Sequence, residues 1–155
     1  MSNAVPIRLS SRTQKVAPSA TQAVEGRVAE LRAAGENVIS FGAGEPDFPT
    51  PDVIKEAGIE AIRTNLTKYT PAGGTIALKK AIAARMKADT GFDYKPSQVI
   101  VGNGGKETLY LTMMATCDAG DEVIIPAPYW VSYPEMAKLA DATPVIIQTG
   151  IETEF

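Results

Sequence analysis

The chain has 155 residues, of which 45% are hydrophobic and 21% are charged, and this composition excludes a disordered or fibrous protein. Its formal net charge is -3, so it lacks the basic excess of proteins that bind nucleic acids or anionic membranes, and we predict neither as a partner. Histidine is absent and Cys117 is the only cysteine, which excludes histidine-based metal sites and an internal disulfide. We therefore expect no metal and a cytoplasmic location.

The amino-terminal part of the chain is predicted to contain an arm, a helix and a strand. Residues 1–16 have no apolar stretch long enough for a signal sequence, and no segment approaches the ~20 apolar residues of a membrane-spanning helix. A capping-box pattern predicts a helix over residues 19–34, which Gly35 ends. The apolar run 38–41 predicts a strand, and the glycines and prolines of residues 42–51 predict a shaped loop.

Two further helices are predicted from their first residues. Thr50 as N-cap, with Pro51 at the first helical position, predicts a helix to about residue 63. Thr75 predicts the start of another helix, which runs to about residue 88 and stops before Gly91. Residues 68–74 between them, with one proline and two glycines, predict a loop.

The remainder of the chain alternates between strand and helix patterns. Such alternation is typical of βαβ crossovers and predicts an α/β fold with a mostly parallel sheet. The predicted elements are, in order, a strand Val99–Val101, a helix Lys106–Thr116, a strand Glu122–Ile125, a helix Ser132–Leu139 and a strand Pro144–Ile147.

The segment Gly102–Glu107 lies between a predicted strand and a helix start. Free backbone N–H groups and the helix dipole favour an anion there, and glycine lets a phosphate approach closely, so one interpretation is a phosphate site. The alternative is a glycine turn that only joins strand to helix. The Walker and dinucleotide patterns both fail at Glu107, which argues against the alternative of a doubly wound nucleotide-binding module.

Three other loops could contribute to a site. In Pro126–Pro134, directly after a strand, Trp130 could stack on a flat ring or could be part of a packed corner. The glycines of Gly42–Phe48 could offer N–H groups to a carboxylate or could form a rigid connector. Tyr69 could offer a phenol to a ligand or could lie in a solvated surface turn.

Taken together, four segments resemble the class I, fold type I, pyridoxal-phosphate-dependent aminotransferases, and most of all their bacterial aspartate aminotransferase branch. The resemblance runs from about Leu9 to the last residue, with the segments in family order. It implies a partial fold type I structure: an amino-terminal arm and small-domain segment over residues 1–46, and an incomplete large domain, with the first βαβαβ part of the sheet, over residues 47–155. The four segments are Gly44–Phe48, Lys68–Pro71, Gly104–Lys106 and Pro128–Pro134.

The resemblance implies pyridoxal 5'-phosphate as cofactor and assigns residues to it. Gly104, Gly105 and Lys106 match the segment that holds the cofactor phosphate at a helix N-terminus. Trp130 matches the aromatic residue beside the cofactor ring. Tyr69 matches a tyrosine that reaches the phosphate from the other subunit, which implies a homodimer with shared active sites.

The resemblance also implies a substrate site. Gly44 and Trp130 match contacts to the substrate carboxylate, and Lys106 with Thr21 matches recognition of a distal carboxylate. The implied reaction moves an amino group between an amino acid, aspartate or glutamate, and a 2-oxo acid. An aromatic amino acid or prephenate as substrate is the alternative.

The Schiff-base lysine of the family has no counterpart among the nine lysines of this chain. The resemblance places that lysine beyond residue 155, so no catalytic residue is assigned and we expect the chain alone to be an inactive amino-terminal fragment of low stability. A non-catalytic remnant that binds phosphate compounds or dimerises is a further alternative.

Overall fold

The computed structural model describes residues 7–155; residues 1–6 of the predicted arm lie outside the described part. Five helices and two strands follow one another along it, with single 3-10 turns at Ser11–Lys15, Pro96–Gln98 and Ile151–Thr153. Among the described residues, no helix is both long enough and apolar enough to cross a membrane. The elements are α1 (Ala20–Ala33), α2 (Asp52–Arg63), α3 (Ile76–Thr90), α4 (Gly105–Thr116), β1 (Glu122–Ala127), α5 (Ser132–Leu139) and β2 (Thr143–Gln148).

The contacts of the chain divide it into two units, which we describe separately. The first combines residues 7–44 with Leu109–Phe155, and the second is Glu45–Thr108. The predicted division into an arm with small-domain segment over residues 1–46 and a large domain over residues 47–155 stays a prediction.

The first unit contains a parallel βαβ motif. β1 and β2 are hydrogen-bonded in parallel, from Glu122 opposite Thr143 to Ala127 opposite Gln148, and α5 packs on both strands. Along β1 the side chains alternate between the two faces, so Ile125 is buried while Ile124 is exposed. The buried apolar residues of this motif are Ile125, Met136, Ala137, Ala140 and Ala142.

Helix α1 of the first unit begins and ends as predicted. The Ser19 hydroxyl accepts a hydrogen bond from the N–H of Gln22 at 3.3 Å, which satisfies one of the free donors of the first turn. Gly35 follows the helix with φ +88°, a conformation that glycine adopts at little cost.

The strand predicted over residues 38–41 is absent. Phe41 is 94% exposed, and within residues 7–155 no strand pairs with this segment. It is held by side chains instead: Arg32 donates two hydrogen bonds to the Val38 carbonyl, and the Ser40 hydroxyl donates one to Glu25.

In the second unit, α3 confirms its prediction and α2 corrects one detail. The Thr75 hydroxyl accepts a hydrogen bond from Leu78 N–H at 3.3 Å, and Gly91 ends α3 with φ +78°. Thr50 is not the N-cap of α2, because Pro51 has extended ψ 142° and lies outside the helix. Pro51 itself occupies the N-cap position, with its carbonyl accepting from the first turn.

The strand predicted over residues 99–101 is also absent, although its backbone is extended at Val99. Val101 N–H donates to the Gly73 carbonyl at 3.1 Å rather than to a sheet, and Ile100 is 79% exposed. A strand requires a partner, so the observed sheet has two strands where the alternation predicted three.

Candidate functional site

The turn before α4 is open to a ligand. Gly104 has φ +88°, and an added Cβ at Gly104 or at Gly105 would meet no atom within 4 Å. The Thr108 N–H donates to the Gly104 carbonyl at 3.2 Å, so the helical bonds begin at this turn. The amides that precede them lie at the positive end of a 12-residue helix, which is the geometry that favours a bound anion.

Glu107 shapes this turn from inside the helix. The Asn103 N–H donates to the Glu107 carboxylate, so the acidic group bonds to the turn itself. A Cβ at Gly102 would lie 2.7 Å from Thr108 Oγ1 and 3.2 Å from Glu107 Oε2, which explains why glycine is needed there. The same glutamate that breaks two nucleotide-binding patterns therefore stabilises the turn.

Lys106 is the second residue of α4 and is exposed. A cation at the amino end of a helix opposes the helix dipole by roughly 0.3–1 kcal/mol. This cost becomes a gain when an anion binds at the same end, because the ammonium and the backbone N–H groups then act on one charge. The position of Lys106 thus fits a phosphate or carboxylate group.

The loop that carries Tyr69 packs on the segment leading into that turn. Tyr69 is fully exposed. Its loop is closed by a hydrogen bond of 2.9 Å from Gly74 N–H to the Pro71 carbonyl. Gly74 has φ +97°, and a Cβ there would lie 2.8 Å from Cγ2 of Val101.

Trp130 follows β1 in the first unit, at the carboxyl end of the strand. Its ring meets that of Tyr133 edge to face, with centroids 5.5 Å apart and planes at 85°. The two rings and the side chains of β1 line a hollow of about 400 Å³, and Trp130 is 40% exposed. Trp130 is thus both part of a packed corner and accessible to a flat ligand.

Two other predicted substrate residues belong to the same unit. Thr21 is the second residue of α1 and is half-buried. Gly44 is exposed, and a Cβ there would meet nothing within 4 Å.

The segment before α1 is anchored to Asp141, two residues beyond the end of α5. Arg12 and Lys15 each donate to the Asp141 carboxylate, at 3.1 and 2.7 Å. The Lys15 ammonium, helped by the Arg12 guanidinium, holds the pKa of Asp141 below its ordinary value. Because all three side chains are partly exposed, each pair adds little stability and is weakened by salt.

A second contact, with α5 itself, also anchors the segment before α1. Glu135 of α5 accepts hydrogen bonds from the Ala17 N–H at 2.9 Å and from Lys138 at 2.8 Å. Burial raises the pKa of Glu135, but these two bonds together with the positive charge of Lys138 outweigh burial and leave the pKa below its ordinary value. The anchor holds the start of α1 beside a hollow of about 360 Å³ that is lined by Tyr129 and Val131 of the Trp130 loop.

The predicted site residues thus divide between the two units. Tyr69, Gly104, Gly105 and Lys106 belong to the second unit, and the contacts of Gly73 and Gly74 with Val101 join their two loops. Thr21, Gly44 and Trp130 belong to the first unit. In the part of the chain that the structure describes, no group of three or more acidic or cysteine side chains could hold a metal ion.

Sequence reasoning missed three residues that shape the site. Glu135 had no signal, because its partner is a backbone N–H far away in the chain. Gly73 and Gly74 did have one: paired glycines directly before the N-cap Thr75 indicate a backbone position that a side chain would not fit.

Comparison with known proteins connects these features. A family model described as aminotransferase class I and II matches residues 36–154. An aspartate/prephenate aminotransferase of Nitrosomonas europaea is 50% identical over 149 residues, which cover 96% of this chain and 38% of the relative. A bifunctional aspartate aminotransferase and glutamate/aspartate-prephenate aminotransferase of Petunia hybrida is 52% identical, over 97% of this chain and 32% of the relative.

Solved structures agree with the sequence matches. Aspartate aminotransferase from Thermus thermophilus with maleate superposes with a TM-score of 0.89 at 42% identity, covering 96% of this chain and 39% of that chain. The corresponding enzyme of Rhizobium meliloti gives 0.90 at 39% identity, over 95% and 37%. The predicted α/β fold is therefore confirmed, and the chain spans less than two fifths of the length of these relatives.

Proposed function

Because the chain belongs to the family of class I and II aminotransferases, we propose that it is part of an enzyme that moves an amino group between an amino acid and a 2-oxo acid. Pyridoxal 5'-phosphate would supply the electron sink for this transfer when bound. The observation that carries the proposal is the open glycine turn at the positive end of α4, within a chain that matches this family over residues 36–154. The cytoplasm is the proposed location.

Gly104, Gly105 and Lys106 fit a cofactor phosphate. The space at both glycines is open, so backbone N–H groups can approach phosphate oxygens closely. Lys106 adds a positive charge at the same helix end. Their role is to bind and orient: charge-assisted hydrogen bonds of this kind contribute about 1.5–3 kcal/mol each.

Trp130 is proposed to lie against the cofactor ring and the substrate carboxylate. Its edge-to-face contact with Tyr133 restrains the indole, and its exposed fraction leaves a surface for stacking. Gly44 is proposed to meet the same carboxylate through its backbone, since nothing occupies the place of a side chain there.

Aspartate or glutamate is the proposed amino-acid substrate, with Lys106 and Thr21 recognising the distal carboxylate. The names of the Nitrosomonas and Petunia relatives include aspartate, which supports this choice. The same names include prephenate, so we propose prephenate as a second amino acceptor rather than as an alternative to the proposed substrates.

A homodimer is proposed as the functional assembly, with Tyr69 reaching the phosphate of the neighbouring subunit. The complete exposure of Tyr69 supports this arrangement. Helix α2 supports it as well, because none of its residues is buried and Val53 and Ile62 are 77% and 68% exposed.

The proposal is tested by titrating the chain with pyridoxal phosphate and, in parallel, with pyridoxal, which lacks the phosphate. We expect saturable binding that depends on the phosphate and that inorganic phosphate competes away. Equal affinity for the two compounds would refute the proposed phosphate site.

The absence of a matched Schiff-base lysine is tested on the same samples by borohydride reduction and mass analysis. We expect no single lysine to be modified specifically and no amino transfer from aspartate. One specifically trapped lysine, followed by transfer, would show that this chain carries its own catalytic lysine.

A further inference from the structure

The Tyr69 loop and the turn before α4 meet at one tightly packed contact. Val101 N–H donates to the Gly73 carbonyl at 3.1 Å. At Gly74, the place of a Cβ lies 2.8 Å from Cγ2 and 2.9 Å from Cβ of Val101, closer than a side chain allows. The next residue, Gly102, is itself pressed against Thr108 of α4.

The contact is linked to a restrained backbone on both sides. On one side, the hydrogen bond from Gly74 N–H to the Pro71 carbonyl closes the loop that Tyr69 begins. On the other side, Val101 is one residue from Gly102, where a Cβ would lie 2.7 Å from Thr108 Oγ1. Closely packed atoms transmit a shift to their neighbours because no void takes it up.

We propose that Gly74 is a positioning residue that, through Val101, sets the location of Tyr69 and of the turn Gly102–Gly105 together. The inference rests on the proposed function, since it assigns both to the binding of a cofactor phosphate. If Tyr69 serves the neighbouring subunit, the contact joins the phosphate site of one subunit to that of the other.

The first test is Gly74→Ala, with Gly91→Ala as its matched control. Both glycines have positive φ, +97° and +78°, but an added Cβ at Gly91 meets nothing within 4 Å. The two variants therefore share the backbone strain and differ in the clash with Val101. We expect Gly74→Ala to weaken phosphate-dependent binding of pyridoxal phosphate about tenfold, the loss of one charge-assisted hydrogen bond, and Gly91→Ala less than about twofold.

A double-mutant cycle with Tyr69→Phe tests the coupling itself. We expect Tyr69→Phe to weaken binding about tenfold in the parent chain and less than about twofold in the Gly74→Ala background, because the loop is already displaced there. Additive effects would show that Gly74 does not position Tyr69 and would overturn the inference.

A ligand-free readout separates this inference from the proposed function. We expect amide hydrogen exchange at Asn103, whose N–H is bonded to Glu107, to rise in Gly74→Ala and to stay unchanged in Gly91→Ala. If the parent chain binds no phosphate, the proposed function fails while this result still decides whether Gly74 holds the turn. Equal exchange in both variants would overturn the inference.

Folding of each variant is checked by circular dichroism. Val101→Ala serves if Gly74→Ala does not fold, because it removes the γ-methyl groups that contact Gly74 without adding backbone strain. We expect the same rise in exchange at Asn103 and a binding loss of about threefold, since the hydrogen bond to Gly73 is retained. Binding and exchange equal to the parent would overturn the inference.

Discussion

The alternation of burial along β1 makes a quantitative prediction about two adjacent isoleucines. Ile125 is 4% exposed and Ile124 is 65% exposed. Truncating a buried isoleucine to alanine costs about 2–5 kcal/mol of unfolding free energy, and we expect Ile125→Ala at the lower end, about 2–3 kcal/mol. The reason is the small core: of the seven buried apolar residues among those described, four are alanines, so the surroundings can relax.

Ile124→Ala is the matched control, since it removes the same atoms at the adjacent position of the strand and lowers the β-propensity equally. Only about a third of Ile124 is buried, so we expect a cost of less than about 1 kcal/mol. Urea unfolding, followed by the fluorescence of Trp130, measures both, because Trp130 is the only tryptophan and lies three residues beyond the strand.

Ile125→Val keeps the comparison measurable if Ile125→Ala does not fold. Loss of one buried methylene costs about 1 kcal/mol of unfolding free energy. If this free energy falls by about 2 kcal/mol per molar urea, the unfolding midpoint shifts by about 0.5 M. An effect of Ile124→Ala equal to or larger than that of Ile125→Ala would refute the assignment of the two faces of β1.

Three further predictions follow from single contacts. Thr75→Ala should lower the free energy of unfolding by about 1 kcal/mol in urea denaturation followed by circular dichroism, whereas Thr50→Ala, which removes no cap, should change it by less than about 0.5 kcal/mol. Asp141 has a lowered pKa, so its ion pairs are complete above the ordinary carboxyl pKa of about 4 and are lost as the pH falls through the lowered value. NMR relaxation should therefore report that residues 11–15 become less ordered in acid, and that they are already less ordered at pH 7 in Asp141→Asn. Unchanged order in both cases would show that these ion pairs do not hold the segment. Lys106→Ala should weaken pyridoxal phosphate binding about tenfold, and equal weakening by Lys80→Ala would contradict a local role.

The helices could be predicted from the sequence because their signals are local. Ser19 and Thr75 each accept a hydrogen bond from the residue three positions on, and Gly91 takes the left-handed conformation that ends α3. Such contacts involve residues that are adjacent in sequence, so the pattern and the structure depend on the same atoms. The error at Thr50 has the same origin, since one residue decides whether Pro51 lies inside or outside the helix.

The strands were predicted less well because a strand is defined by its partner. The two strands 122–127 and 143–148 are connected by α5 and pair with each other. Residues 38–41 and 99–101 have equally apolar patterns but are not paired within the described chain. Periodicity reports which side chains prefer burial and carries no information about which segment will supply the hydrogen bonds. The exposed Phe41 and Ile100 are apolar side chains whose burial the sequence predicted and the described residues do not provide.

The candidate site illustrates the same limit at a single residue. In the sequence, Glu107 argues against a nucleotide-binding loop, because it is acidic at a position where the known patterns require a small residue or a hydroxyl. In the fold its carboxylate accepts the Asn103 N–H, and Gly102 is the residue that makes room for it. The space at Gly104 and Gly105 is open, so a residue that argues against two kinds of phosphate loop stabilises the turn that we propose as a third kind.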